Sequence, residues 1–158
     1  GNRKYPQTSN TCYFLRKILL YLKESNYNFM INGIKMAQII LAFRLDKEKL
    51  KTVRSTAQKT GFQVKEISRK DYSQKLGTLA GIEGFSRKSQ LYDGPEFPLE
   101  MMVFSGTDSA QLDTFLNAYK QTGAQPVPLK AVITQHNIFW TAENLYKELL
   151  KEHMHFNR

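Results

Sequence analysis

The sequence is poor in cysteine and has no long hydrophobic run. Its one cysteine, Cys12, excludes an intramolecular disulfide framework and any metal site built from several thiolates, which favours a reducing compartment and a cytoplasmic location. The most apolar stretch, Ile18 to Leu22, is five residues long and is flanked by basic side chains. It is too short for a membrane span or for the apolar segment of a secretory signal. We therefore expect no transmembrane segment.

Nucleotide and metal signatures are also missing, and no internal repeat or low-complexity tract is evident. The turn at 105–107 (SGT) precedes a predicted helix, but it lacks the G-x-G-x-x-G spacing and no Walker lysine follows it. His153 and His155 are two positions apart, so on a helix they diverge and do not form a metal site. No cofactor and no metal are predicted.

What the sequence does contain is enough apolar material for one independent domain, with 158 residues and 41% hydrophobic content. From Met36 onward, short apolar runs alternate with helical spacing, which is typical of βα units. Strands are predicted at 39–43, 62–67, 101–104 and 129–133. The predicted caps of the intervening helices are Asp46, Asp71 with Gln74, Asp108 with Gln111, and Thr141.

The predicted fold class is α/β. The run at 62–67 is polar at every second position in its first half, which suits an edge strand. Together with right-handed crossovers, this favours a three-layer domain with a four-stranded, mainly parallel sheet of order 2-1-3-4 and helices on both faces. We expect a Rossmann-like or flavodoxin-like half, here with an additional N-terminal helix.

Residues 1–35 are predicted to be an extension of the domain at 36–158. A helix from Cys12 to Glu24 has an apolar stripe formed by Leu15, Ile18, Leu19 and Leu22. We expect this helix to pack on the domain or on a second copy, which would give a homodimer. A basic helix at a membrane surface or against a partner is the alternative. In a third interpretation Met36 is the natural start and the preceding residues are an upstream translation. Independently of this, Gly1 in place of methionine suggests a remnant of tag cleavage.

A long aromatic segment, 83–99, separates the two halves of the predicted domain. It contains Gly84, Gly94, Pro95 and Pro98, and loops of this length are usually functional or disordered. The sequence does not decide whether this segment is a lid.

Three separated motifs occur in the chain in a fixed order. They are LGTLAGIEGF at 76–85, MVFSG at 102–106 and PLKAVIT at 128–134, the last followed by Asn137 and Trp140. Between about residues 37 and 153 the chain thereby resembles an uncharacterised bacterial family that is described only as a domain of unknown function. No catalytic residues are established for that family, so the resemblance assigns none here. His136 and Phe139 are not part of its pattern.

Polar residues follow three of the predicted strands, and a binding site is expected where they meet. In open α/β sheets, ligands bind beyond the carboxyl ends of the strands, where the strand order reverses. The predicted order places this crevice between the first and third strands, with the end of the fourth beside it. The candidate ligand-binding residues are Arg44, Asp46, Ser105, Gly106, Thr107, Asp108, Lys130, Thr134, His136, Asn137 and Trp140.

Most of these residues also have a simpler structural interpretation. Asp46 and Asp108 are favoured as helix caps, each contributing about 1 kcal/mol. His136 has no evident nucleophile or orienting carboxylate, so no catalytic residue is predicted. Lys130 lies in an apolar strand, where it either extends to solvent from an edge or reaches an anion. Trp140 either packs under the last helix or forms an exposed binding platform.

The positive charge is concentrated in the first half of the chain. Residues 1–35 carry six basic and one acidic side chain, residues 36–88 carry twelve and five, and residues 89–158 carry five and eight. Nine basic residues would form a phosphate-binding patch, namely Lys47, Lys51, Arg54, Lys65, Arg69, Lys70, Lys75, Arg87 and Lys88. Acidic residues interrupt this set, and no aromatic stacking motif accompanies it, so a solvated surface is favoured over nucleic-acid binding.

The function therefore stays open between three hypotheses. The favoured one is a non-catalytic module that binds a ligand or a protein at the predicted crevice. The first alternative is a small hydrolase or transferase acting on an anionic substrate held after Gly106 and by Lys130 or Arg44. The second alternative is nucleic-acid binding through the basic first half.

Overall fold

The computed structural model describes residues 37–156, together with the backbone of residues 30–31 and 34–35. The strands are β1 (Met30–Ile31), β2 (Ile34–Lys35), β3 (Ile39–Phe43), β4 (Gln63–Ile67), β5 (Met101–Ser105) and β6 (Leu129–Val132). The helices are α1 (Lys47–Thr60), α2 (Leu76–Leu79), α3 (Ser109–Gln121) and α4 (Ala142–Phe156). The predicted helix at 12–24, its proposed dimer contact and the start of the predicted domain lie outside the described residues.

The main sheet has four strands in the order β4-β3-β5-β6, while β1 and β2 pair separately as a two-stranded sheet. This is the predicted order 2-1-3-4, with β3 as the first strand of the four. The outer pairs, β3 with β4 and β5 with β6, are parallel. The predicted α/β class and the mainly parallel character of the sheet are confirmed.

The central pair of this sheet is antiparallel, however, with Ile39 opposite Ser105 and Phe43 opposite Met101. The sheet is therefore mixed, and the Rossmann-like description is not confirmed, because a Rossmann sheet is parallel across its centre. The long segment after β4 allows the chain to enter β5 from the other end of the sheet. Sequence patterns do not distinguish the two directions, since both central strands are buried on both faces.

Three of the four predicted helix caps are present where the sequence placed them, and at the start of α4 the Thr141 hydroxyl accepts a hydrogen bond from the Asn144 N–H at 3.1 Å. The Asp46 carboxylate accepts a hydrogen bond from the backbone N–H of Lys49 at 2.8 Å, and α1 ends at Gly61 in the left-handed conformation. Asp108 and Gln111 form a reciprocal capping box at the start of α3. These local interactions satisfy backbone donors that a helix otherwise leaves free.

The predicted cap by Asp71 with Gln74 is wrong. A short 3-10 turn covers Arg69–Asp71 and α2 begins only at Leu76, with no side-chain cap. Asp71 forms an ion pair with Arg87, and the Gln74 side chain hydrogen-bonds the backbone of Lys88. Both side chains bind the 83–99 segment, which the local pattern could not indicate.

Each face of the sheet is covered by its own hydrophobic core. On one face, α1 and α3 pack against each other and against Ile40, Met102 and Phe104. On the other face, α2, α4 and part of the 83–99 segment cover Leu41 and Val103. The three-layer arrangement with helices on both faces is confirmed.

The sheet and its helices consist of two units of the same topology, which the sequence did not reveal. The first runs β3-α1-β4 and the second β5-α3-β6, and exchanging the two units leaves the strand order and pairing unchanged. Arg44 and Gly106 are equivalent, 62 positions apart, and both have a positive φ, 62° and 71°. The paired caps Asp46 and Asp108 have the same separation. We call this arrangement the internal repeat.

The internal repeat continues beyond the sheet, where an isolated bridge joins Lys75 to Thr141. Around this bridge the hydrogen bonds occur in equivalent pairs. The Leu76 N–H donates to the Trp140 carbonyl, and the Ala142 N–H donates to the Gln74 carbonyl. The same exchange of units relates the bond from Gly77 to Ile138 with that from Glu143 to Tyr72. In this part the equivalent positions are 66 residues apart.

None of the described helices combines the length and apolarity that crossing a membrane would require.

Candidate functional site

The antiparallel centre of the sheet divides the predicted crevice between two opposite ends. Arg44 and Asp46 follow β3, and Lys130 lies near the start of β6, at the end of the sheet where β5 begins. The other end of the sheet carries Ser105, Gly106, Thr107 and Asp108 after β5 and Thr134, His136, Asn137 and Trp140 after β6. The eleven residues therefore do not converge on one ligand. Their expected convergence assumed that β3 and β5 run parallel.

At the Arg44 end, a charged cluster lies under the first turn of α1. Glu100 is buried, and its carboxylate accepts hydrogen bonds from the Asp46 N–H at 2.8 Å and from the Lys49 ammonium. Lys49 also donates to the Pro126 carbonyl at 3.2 Å. The Lys49–Glu100 pair joins the two units across the sheet. Sequence reasoning missed it, because the two residues are 51 positions apart and neither stands in a motif.

Lys130 lies on the same face of the sheet as Lys49, and its pKa is lowered. Its ammonium donates to the Val127 carbonyl at 2.7 Å. Burial, and then the positive charge of Lys49, lowers the pKa of Lys130 to about 8. Burial also raises the pKa of Tyr119 to about 12, with smaller contributions from Glu100 and Asp46. Lys130 lies on the edge strand β6 and is partly buried, and its ammonium is bonded to a loop carbonyl; whether it also reaches an anion stays a prediction.

At the opposite end, most of the predicted residues have structural roles. Ser105 and Thr107 are buried, and Thr107 donates its hydroxyl proton to the Asp108 carbonyl. The Asn137 side chain accepts from the Thr134 N–H at 2.8 Å and donates to the Val132 carbonyl at 3.0 Å. These bonds fix the turn after β6. They hold the turn in one shape and so determine where Trp140 lies.

The turn after β6 leads to an open surface beside α4. The His136 and Trp140 rings meet edge to face, with their centroids 5.4 Å apart. Phe139 is 65% exposed and contacts the Phe85 ring at 5.2 Å, and the Lys75 ammonium lies 5.8 Å from its centroid. A concave surface here is lined by Trp140, Asn144, Lys147, Glu148, Leu150 and Lys151. We call these six residues the Trp140 face.

Trp140 is partly buried and partly accessible, and its role as a binding platform stays a prediction. Its side chain packs partly against the core on the α4 side, yet it also lines the Trp140 face. The sequence did not single out Phe139, and its only local signal was the neighbouring tryptophan. Its exposure depends on the internal fold of the segment that contains Phe85.

The 83–99 segment is packed against the domain. Phe97 stacks between Tyr72 at 3.9 Å and Tyr146 at 4.0 Å, with nearly parallel rings. The buried Tyr72 hydroxyl donates to the Glu96 carboxylate. Burial first, and then Glu96, raises the pKa of Tyr72 strongly. Phe97 thus anchors the later part of this segment in the core, and a functional role for the segment stays a prediction.

Among residues 37–156 no group of three or more histidine, cysteine or acidic side chains is placed to hold a metal ion. Asp108, which follows β5 at the same end of the sheet as His136, is engaged in a helix cap, and Asn137, next to His136 in sequence, is engaged in a turn.

A family model matches the second half of the domain. No curated protein and no solved structure is significantly similar to this chain. The matched region contains β5, α3, β6 and α4, and thus the second unit of the internal repeat together with the Trp140 face. Residues 100–156 match the family model described as a domain of unknown function, DUF3783, which confirms the resemblance over this range, whereas the motif at 76–85 lies outside the match.

Proposed function

We propose that this protein is a non-catalytic module that recognises a partner or ligand through the Trp140 face. The observation that carries the proposal is the concave surface formed by Trp140, Asn144 and the α4 side chains, next to the 65%-exposed Phe139. Exposed aromatic side chains surrounded by polar groups are typical of recognition surfaces. The turn bonded by Asn137 holds this surface in a fixed shape, which lowers the entropic cost of binding.

The two alternatives receive less support. The hydrolase or transferase requires Arg44 or Lys130 to meet the helix start after Gly106, and these positions lie at opposite ends of the sheet. In the basic half, Lys65 donates to the Leu79 carbonyl and Arg69 to that of Gly94. Because these basic side chains are hydrogen-bonded within the domain, fewer of them are available to bind phosphate groups. A bacterial origin and a cytoplasmic location stay predictions from the sequence.

The test is a fragment screen on the full chain by NMR. Trp140 is the single tryptophan, so its indole N–H gives one assigned signal within the face. We expect fragment hits to shift this signal and the amide of Asn144, and Trp140→Ala to remove the shift of the Asn144 amide. Leu91→Ser is the matched control, because Leu91 is 59% exposed and is not among the residues that line the face.

Hits that cluster elsewhere on the domain would contradict the proposal. So would a turnover that collapses in His136→Ala or Asp108→Ala, because it would place a reaction at the carboxyl ends of β5 and β6.

A further inference from the structure

We propose that the Trp140 face binds an extended polypeptide segment of a partner protein. This inference rests on the proposed function and names the class of partner. It is drawn from the internal repeat, because the first unit holds such a segment at the equivalent position.

In the first unit, residues 86–92 run along the surface of α2 and of the turn that precedes it. Every second residue of this run is hydrogen-bonded to that surface. The Thr78 hydroxyl donates to the Ser86 carbonyl at 3.4 Å. Gln74 binds both backbone groups of Lys88, at 2.8 and 2.9 Å. The Gln90 carbonyl accepts a hydrogen bond from the Ser73 hydroxyl at 3.4 Å, and the Tyr92 N–H donates to the Lys70 carbonyl at 2.9 Å. Bonding at alternate residues is the pattern of an extended chain docked through its backbone.

Within the part of the chain that the structure describes, no comparable segment covers the equivalent surface of the second unit. With the 66-residue separation, Gln74 corresponds to Trp140 and Thr78 to Asn144. These two residues line the open concave surface. The chain continues from Leu145 as the long helix α4, whereas α2 ends at the equivalent Leu79 and leads into the covering run. The surface that the first unit covers is therefore open in the second.

The groups on the open surface suit a peptide. The indole N–H of Trp140 and the side-chain amide of Asn144 replace the amide and hydroxyl that bind backbone groups in the first unit. Trp140 and Leu150 add apolar area for a side chain of the segment. Lys147 and Lys151 are each paired with a glutamate on α4, at 2.9 and 3.3 Å. The lysine charges are thus compensated, which favours a peptide over a single-stranded nucleic acid.

The experiment selects binders from a random twelve-residue peptide library against the full chain, followed by NMR titration of the selected peptides. We expect binders that shift the Trp140 indole and Asn144 signals. Asn144→Ala, a change at an exposed position, should weaken them at least fivefold and Trp140→Ala at least tenfold. Leu91→Ser should bind as the wild type. The Asn144 variant keeps the test decisive if Trp140→Ala is poorly folded.

Selected peptides that leave the indole signal unchanged would overturn the inference, as would a selection that yields none. A fifteen-residue oligothymidine that shifts the indole while peptides do not would assign the face to nucleic acid instead. If fragments still bind the face in either case, the peptide inference fails and the proposed function stands. If neither fragments nor peptides bind there, both fail.

Discussion

Arg44 and Gly106 occupy equivalent positions at opposite ends of the sheet, and both have left-handed backbone conformation, with φ values of 62° and 71°. Each is the second residue before the aspartate that caps the following helix. The internal repeat thus requires a positive φ at this turn in both units. Only the second unit has a glycine at this position, whereas the first unit has Arg44.

The first prediction concerns this difference in strain. A non-glycine residue in the left-handed region costs about 1–2 kcal/mol, partly offset by the larger backbone entropy that glycine loses on folding. Arg44→Gly should therefore raise the free energy of unfolding by about 0.5–1 kcal/mol in urea, measured against Arg44→Ala, which keeps the strain. The reciprocal Gly106→Ala should destabilise by about 1–2 kcal/mol. Equal stabilities of Arg44→Gly and Arg44→Ala would show that the turn is not strained.

The second prediction concerns the Lys49–Glu100 pair, whose side chains are only 16% and 10% exposed. Glu100→Gln leaves Lys49 with an uncompensated, largely buried charge and should cost about 2–4 kcal/mol. The equivalent positions in the other unit are Gln111 and Gln38. The double variant Lys49→Gln/Glu100→Gln places the same two neutral residues at these positions and removes the buried charge, so it should be more stable than Glu100→Gln alone. Additive losses in this cycle, measured by urea unfolding, would count against a coupled pair.

The third prediction is a pH dependence that arises from Lys130. Its pKa is about 8 in the folded protein, below the ordinary 10.5. Between these values the unfolded chain binds more protons than the folded one, so the free energy of unfolding rises with pH. From pH 7 to pH 10 the gain from this residue should be about 2 kcal/mol.

Lys130→Met is the comparison for this pH profile. The stability difference between variant and wild type should be largest at pH 7, where the variant is expected to be the more stable, and should shrink by pH 10. Ionisation of Tyr119 is common to both proteins and cancels in the difference. Parallel profiles from pH 7 to pH 10 would contradict the burial of a charged Lys130.

The fourth prediction concerns Gly77, against which the Phe85 ring packs. A Cβ atom at position 77 would lie 2.7–2.8 Å from three carbons of that ring, closer than carbon atoms normally approach. Gly77→Ala should therefore cost about 1–3 kcal/mol, as other overpacked sites do. It should also move the Phe85 ring away from the Phe139 ring. The centroids of these two rings are now 5.2 Å apart. In a Phe85→Ala background the same change should cost clearly less, and an undiminished cost would mean that the strain lies elsewhere.

Local chemistry made much of the fold predictable from the sequence. The strands at β3 and β5 are continuous apolar runs, and the caps at Asp46 and Asp108 depend on atoms within three residues of each other. The same reasoning failed at Asp71, because its carboxylate meets Arg87, which is brought near only by the folding of the 83–99 segment. The candidate site was predicted only in part for a related reason. The residues after β5 and β6 do lie together at one end of the sheet. Arg44 lies at the other end, because β3 and β5 run in opposite directions.

The sequence by itself determined that the chain has few cysteines, no long apolar run, alternating strands and helices, and the motifs of a family without an assigned function. Tertiary structure alone decided the antiparallel centre of the sheet, the internal repeat and the open Trp140 face. The physical reason is the range of the interactions. Periodicity and capping act within one turn or one strand, whereas strand direction and exposure depend on contacts between segments far apart in the chain.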